Sequence, residues 1–227
     1  MTTDFVHLRV HTEYSLLAGA MRLKSLDKLC QQHNMPAVAL TDRNNLFAGL
    51  EASVTWADKG VQPIMGCDLD VLYDGHSIAP MVFLAQNETG YDNIIKLNSA
   101  LYMREGMQEA HVTLDEIAAH CEGVICLTGG PKGPIGSLIA QDKRGHAQDV
   151  MQQLAQMFGD RLYVELQRHI VDGARSAMDV AIERAHVEMA YAMELPLVAS
   201  NDVYFPDATH FNAHDALMCI AGGHYVD

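Results

Sequence analysis

Short apolar runs of strand character alternate with longer helical patterns along almost this whole chain, and that alternation limits it to the α/β class. Residues 6–10 alternate as a strand does, and 37–41 form a short apolar strand. Residues 62–69 follow with Pro63 near the start, then 81–85, 124–128, 162–167, and 197–199 after Pro196. Between them lie helical patterns near 24–33, over 46–59 closed by Gly60, around 91–104, near 143–158 ended by Gly159, and over 174–194. A final amphipathic segment includes 214–220. Thr113-Leu-Asp-Glu116 has the spacing of a capping box, in which the threonine oxygen and the glutamate satisfy free amides at a helix start. About seven strands are too few for an eight-stranded barrel, and pattern alone does not separate a closed barrel from an open doubly wound sheet. No internal repeat, low-complexity tract or linker interrupts the chain, so residues 1–227 read as a single domain.

The opening stretch carries the chemistry. In Phe5-Val-His-Leu-Arg-Val-His-Thr-Glu-Tyr-Ser15 an alternating strand runs into a turn. Side chains of a strand share a face at every second residue, so His7, Arg9 and His11 are expected to project together. A His-x-His pair at that spacing delivers two imidazoles to one metal ion. Here the middle residue is arginine, which stays protonated and cannot ligate a cation.

Charge narrows the partners. Fifteen Lys and Arg against 29 Asp and Glu give a net charge of −14 with the histidines neutral. A domain that grips nucleic acid by itself displays a basic face that displaces phosphate counterions, and no cluster of three Lys and Arg occurs here. No apolar run reaches membrane-spanning length, and Met-Thr-Thr-Asp lacks the layout of a signal peptide, so no membrane role is expected. The five cysteines, Cys30, Cys67, Cys121, Cys126 and Cys219, contain no Cys-x-x-Cys pair and read as reduced, mostly buried thiols of a cytoplasmic protein.

The ordered set of blocks that begins at Phe5 resembles the PHP domain (polymerase and histidinol phosphatase) family, in the form that opens bacterial replicative DNA polymerase III alpha subunits. The resemblance continues through Ala39-Leu-Thr-Asp-Arg-Asn-Asn-Leu46, Ile64-Met-Gly-Cys-Asp68, the block from Leu84 to Ile94, and Tyr163-Val-Glu-Leu-Gln-Arg-His169. It ends with Ala199-Ser-Asn-Asp-Val-Tyr204 and Ala213-His-Asp-Ala-Leu217. It implies a distorted (βα)7 barrel with a metal cleft at the carboxyl ends of the strands. Active members resemble a phosphoesterase in which up to three metals position an activated water.

Carried over position by position, the resemblance implies a ligand set largely replaced. Arg9 stands at the first ligand position and His11 is kept. Ala18 replaces an aspartate, Arg43 a histidine, and Asp68 a glutamate. Pro80 falls at a histidine position and Gly130 at a cysteine position. Asp202 is kept, and Tyr204 replaces a histidine. If any metal is held, His11, Asp68 and Asp202 are its ligands, and these three alone do not hold a cluster, since each ion needs several protein ligands. No cofactor and no catalytic residue is therefore expected in this domain, the alternatives being zinc, manganese or magnesium. Removing cations from a carboxylate cleft leaves repelling charges, so at least one of Arg9 and Arg43 is expected to pair with Asp42, Asp68 or Asp202.

Other motifs carry less. Asp68-Leu-Asp70 places two carboxylates on one strand face, as a paired-magnesium palm does, but a lone Asp-x-Asp is common. Gly129-Gly-Pro-Lys-Gly133 lacks the Lys-Ser/Thr ending of a P-loop and reads as a turn. His214 packs or caps, and His169 makes a structural hydrogen bond.

Three functions compete. The first is a non-catalytic PHP domain, an N-terminal fragment of a much longer DNA-directed DNA polymerase, supporting the polymerase and docking the proofreading exonuclease subunit in DNA replication. Its partners are the remainder of the polymerase chain and that subunit, and it meets DNA only through the full-length polymerase. The second is an active metal-dependent phosphoesterase, a 3'-5' exonuclease or small-molecule phosphatase, which needs replacement ligands such as His7, His76 or His169. The third is a stand-alone interaction protein.

Overall fold

The computed structural model describes residues 5–104, 109–170 and 173–226. The Met1–Asp4 opening and Asp227, both used in the sequence reading, lie outside the described residues. The fold is α/β, and the chain divides into two compact units, Met1–Cys67 with Asn201–Asp227, and Asp68–Ser200.

In the first unit, α1 (Leu23–Gln32) buries Leu23, Leu26 and Cys30, a stripe at i, i+3 and i+7. No side chain caps its start; instead the Glu13 carboxylate accepts a hydrogen bond from Leu23 N at 2.7 Å, which suits the positive end of a helix. Asp27, buried on the same helix, is neutralised by Lys59 Nζ at 2.7 Å. Strand β1 (Ala37–Leu40) pairs in parallel with residues 62–65, the start of β2 (Gln62–Leu72). Between them α2 (Ala48–Trp56) presents Ala48, Ala52 and Trp56 inward. These side chains meet Val10, Met21, Val38 and Leu40 in one apolar core. The last helix of the chain, Phe211–Gly222, also belongs to this unit.

The expected strand over residues 6–10 is a correction. Only Val10 forms a β-bridge, parallel to Val203. Ala39 N and Thr41 N, two residues apart on one side, bond to His7 O and Val10 O, three residues apart on the other, at 2.9 and 3.0 Å. One extra residue is accommodated, as in a bulge, and an extra residue reverses the facing of every side chain beyond it.

In the second unit, the end of β2 neighbours β3 (Ile78–Ala85), followed in order by β5 (Val124–Leu127), β6 (Leu162–Leu166) and β7 (Leu197–Ala199). The short β4 (Val112–Thr113) lies beside β2. β5–β6 and β6–β7 are parallel, as expected, but β3–β5 is antiparallel. The cause is local. Asp74 accepts hydrogen bonds from His76 N at 2.9 Å and Ser77 N at 2.5 Å in a tight turn between β2 and β3, and a turn that short has no room for a parallel crossover, so β3 runs against β2 and β5 alike. Met81–Leu84 on β3 are buried without interruption, as in a strand covered on both faces. The helices of this unit are α3 (Glu88–Tyr102), α4 (Leu114–Ala119), α5 (Pro134–Ala140), α6 (Arg144–Phe158) and α7 (Ala177–Ala192). The capping box is present in full: Thr113 Oγ1 accepts from Glu116 N at 3.2 Å, and Glu116 accepts from Thr113 N at 2.7 Å.

Candidate functional site

Of the nine positions singled out in the sequence, six lie in the first unit: Arg9, His11, Ala18, Arg43, Asp202 and Tyr204. Asp202 is their centre. Its Oδ1 lies 3.1 Å from Arg9 Nε and 2.9 Å from His11 Nε2, and all three side chains are no more than 2% exposed. The Arg9 Nε–H does not point along its contact, which is therefore an ion pair and not a hydrogen bond. The backbone builds this meeting from two segments, since His11 N donates to Val203 O at 2.8 Å and Val203 N to Arg9 O at 3.3 Å. Tyr204 then lays its ring flat on His11, with centroids 4.3 Å apart and planes within 7°.

A second carboxylate closes the other side of His11. Asp42 accepts from Thr12 N at 2.7 Å, Thr12 Oγ1 at 2.8 Å and Ser15 Oγ at 2.7 Å. Ser15 Oγ also sits 3.4 Å from His11 Nδ1 and accepts from Arg43 N at 3.1 Å. Ala18 contributes its carbonyl, which accepts from His214 Nε2 at 2.9 Å, so His214 is a packing and bonding residue as expected. The expected arginine–aspartate pairing is present as Arg9–Asp202, while the Arg43 side chain is exposed.

His7 does not join this group, which corrects the expected three-residue face. The extra residue between His7 and Val10 turns it to the opposite side, into a cavity of about 320 Å³ with Phe5, Val10, Leu26 and His33 on its walls. Burial, and then the neighbouring His33, lower the His7 pKa. His76 and His169, the other candidate replacement ligands, are exposed.

The remaining three positions lie in the second unit. Asp68 is buried on β2, as is Asp70 two residues on. The Pro80 carbonyl packs against Gly129, where a Cβ would come within 2.1 Å of its oxygen. Gly130 adopts a left-handed backbone, and the place of its missing side chain is taken by Gln167, whose atoms lie 3.0–3.2 Å from where a Cβ would be. Gln167 Nε2 donates to Glu165 Oε1 at 3.1 Å and to Ser200 Oγ at 3.3 Å, and Ser200 Oγ donates to Glu165. Thr128 Oγ1 accepts from Glu165 N at 3.0 Å. Sequence reasoning missed this buried polar cluster. Its signal was the Glu165-Leu-Gln167 alternation at the end of an otherwise apolar strand.

The donor chemistry does not fit a metal cluster. In the first unit the lone pairs a cation would need are turned to other partners: Asp202 to a guanidinium and an imidazole, and Asp42 to two hydroxyls and an amide. A fixed positive charge at Arg9 opposes any added cation. Among the described residues no three His, Cys, Asp or Glu side chains are grouped as ligands for one ion. What the arrangement does chemically is give buried carboxylates charge and hydrogen-bond partners from the protein itself.

The PHP domain family model matches residues 7–169 of the chain. The DNA polymerase III subunit alpha of Caulobacter vibrioides is 43% identical over 230 residues, covering 98% of this chain and 20% of that protein. The Pseudomonas aeruginosa protein of the same name is 34% identical over 232 residues, covering 100% of this chain and 19% of that one. The chain thus spans about one fifth of the length of the curated relatives it matches. Among solved structures, an amidohydrolase from Chromobacterium violaceum with bound sulfate and no metal aligns with a TM-score of 0.60 at 11% identity, covering 95% of this chain and 97% of that one. A Bifidobacterium adolescentis protein classed as a metal-dependent phosphoesterase aligns at 0.56 and 13% identity, covering 88% of each chain. At such identities these two likenesses bear on the fold alone. Among the described residues no helix is long and apolar enough to cross a membrane.

Proposed function

We propose, for a chain that belongs to the PHP domain family, that it serves as the non-catalytic N-terminal PHP domain of a replicative DNA polymerase III alpha subunit in the cytoplasm. In this reading it buttresses the remainder of the polymerase chain and docks the proofreading exonuclease subunit. Arg9, Ala18, Arg43, Asp68, Pro80, Gly130 and Tyr204 stand where an active member carries metal ligands, and His11 and Asp202 are retained. DNA synthesis belongs to parts of the longer chain beyond these residues, and DNA is met only there.

The observation that carries the reading is the buried Arg9–Asp202–His11 cluster. A guanidinium at the heart of a carboxylate and imidazole group supplies the positive charge that a metal supplies elsewhere, and it cannot generate a bound hydroxide at neutral pH. The acidic balance of the chain suits protein contacts better than a grip on phosphates.

The test is metal analysis of protein purified without chelator, with assay of a generic phosphodiester. Less than stoichiometric zinc or manganese and no hydrolysis are expected; stoichiometric metal with hydrolysis would establish the active phosphoesterase instead. A variant carrying Arg9→His, Ala18→Asp, Arg43→His and Tyr204→His rebuilds ligands around His11 and Asp202 and should bind zinc or manganese more tightly than the parent. Equal affinity in both proteins would mean that these positions do not face one metal site. The docking half of the reading is tested separately, by whether the proofreading exonuclease subunit of the same organism co-purifies with the 227-residue chain.

A further inference from the structure

Every other α-helix among the described residues buries at least two side chains, whereas α8 (Phe211–Gly222) buries none. Its composition is not that of a solvated helix. Of its twelve residues only Asn212, His214 and Asp215 carry polar side chains. Ala213, Ala216, Leu217 and Ile220 recur at i, i+3, i+4 and i+7, which gathers them into one apolar stripe.

The helix is tethered by a different side. His214 Nε2 donates to Ala18 O at 2.9 Å, and the His214 ring lies 4.9 Å from Phe205 and 5.6 Å from Tyr204. At 3.6 residues per turn the centre of the stripe lies roughly 110° around the helix from His214. On that stripe Ala213 and Ile220 are exposed, and Ala216 and Leu217 are half-buried. Ile220 is 71% exposed, and Phe211 and Met218, outside the stripe, are 57% and 44% exposed.

We infer that this stripe is a helix-packing surface for the portion of the polymerase-length chain that the 227 residues do not include. The inference rests on the polymerase reading above. The relatives are about five times as long as this chain, so most of such a protein is available to cover the stripe. The stripe carries no charge, although the chain as a whole carries −14, so a partner drawn by charge would not select it. Two alanines beside a leucine and an isoleucine form a low ridge next to a high one, the relief into which a second apolar helix fits at close range. The occupant is therefore an uncharged, apolar helical surface of the same chain.

Hydrogen–deuterium exchange on α8 tests this, measured in the 227-residue chain and in the full-length product of its gene. The α8 amides should exchange roughly tenfold or more slowly in the full-length protein. Ile220→Glu should abolish that protection there, while leaving the thermal midpoint of the 227-residue chain unchanged. Equal exchange in a full-length protein that synthesises DNA overturns the inference and leaves the polymerase reading standing. A gene product that stops near residue 227, or one that makes no DNA, overturns that reading and the inference with it.

Discussion

Arg9 is the residue on which the site turns. A guanidinium 1% exposed needs charge partners; Asp202 sits beside it and in turn shares its oxygen with His11. Replacing an ion pair by well-packed apolar groups can be neutral, but removing one partner strands the other charge. Arg9→Ala should therefore cost about 3 kcal/mol of folding stability. Adding Asp202→Asn should recover part of that loss, because the stranded charge is then gone. Urea titration followed by the fluorescence of the single, buried Trp56 reads both changes. A cost of Arg9→Ala below about 0.5 kcal/mol would place the pair with exposed salt bridges and remove the structural case for it.

At the scale of elements, α7 carries a titrating group that no other interaction explains. His186 is 1% exposed; its Nδ1 bonds to Ile182 O at 3.0 Å, and its Nε2 has no hydrogen-bond partner among the described residues. Burial lowers its pKa from 6.5 to about 4, only partly offset by that backbone bond. The sign follows from which state binds the proton first. The unfolded chain protonates near 6.5 and the folded chain only near 4. The contribution of the neutral imidazole is thus complete above 6.5 and lost as the pH falls from 6.5 through 4. Between neutral pH and pH 4 the loss should be roughly 2–3 kcal/mol. Carboxylates titrate in the lower part of that range, so the measurement is a comparison: His186→Leu should show a shallower fall in stability between pH 6.5 and 5 than the parent. Parallel curves would mean that His186 takes up its proton as readily in the folded chain as in the unfolded one.

For the whole molecule, charge decides what the chain touches unaided. With 29 acidic and 15 basic residues, neutralising DNA phosphates would first require overcoming net repulsion. The 227-residue chain should therefore show no binding to a labelled duplex or single strand, even when salt is lowered to about 50 mM, where phosphate contacts are strongest. Retention of DNA in a gel or anisotropy assay at that salt would contradict the assignment of DNA contact to other parts of the longer chain.

Local chemistry made part of this protein legible. The capping box at Thr113–Glu116, the Gly159 stop after α6, and the apolar periodicities of α1, α2 and α7 depend on residues within a few positions of one another. The nine proposed ligand positions were assigned from their order along the chain alone. Facing was not legible. Whether His7 joins Arg9 and His11 depends on one extra residue, set by which carbonyls β1 bonds to 30 residues away. The Glu165–Gln167–Ser200 cluster joins residues up to 35 positions apart. Strand count illustrates the difference: seven strands were expected and seven are present among the described residues, but residues 6–10 form only a bridge, and the two-residue β4 was missed. Propensity and periodicity act within a turn or a strand, and they determined which segments become elements. Register and the pairing of Arg9 with Asp202 are set by bonds between distant segments, and only the tertiary structure decided them.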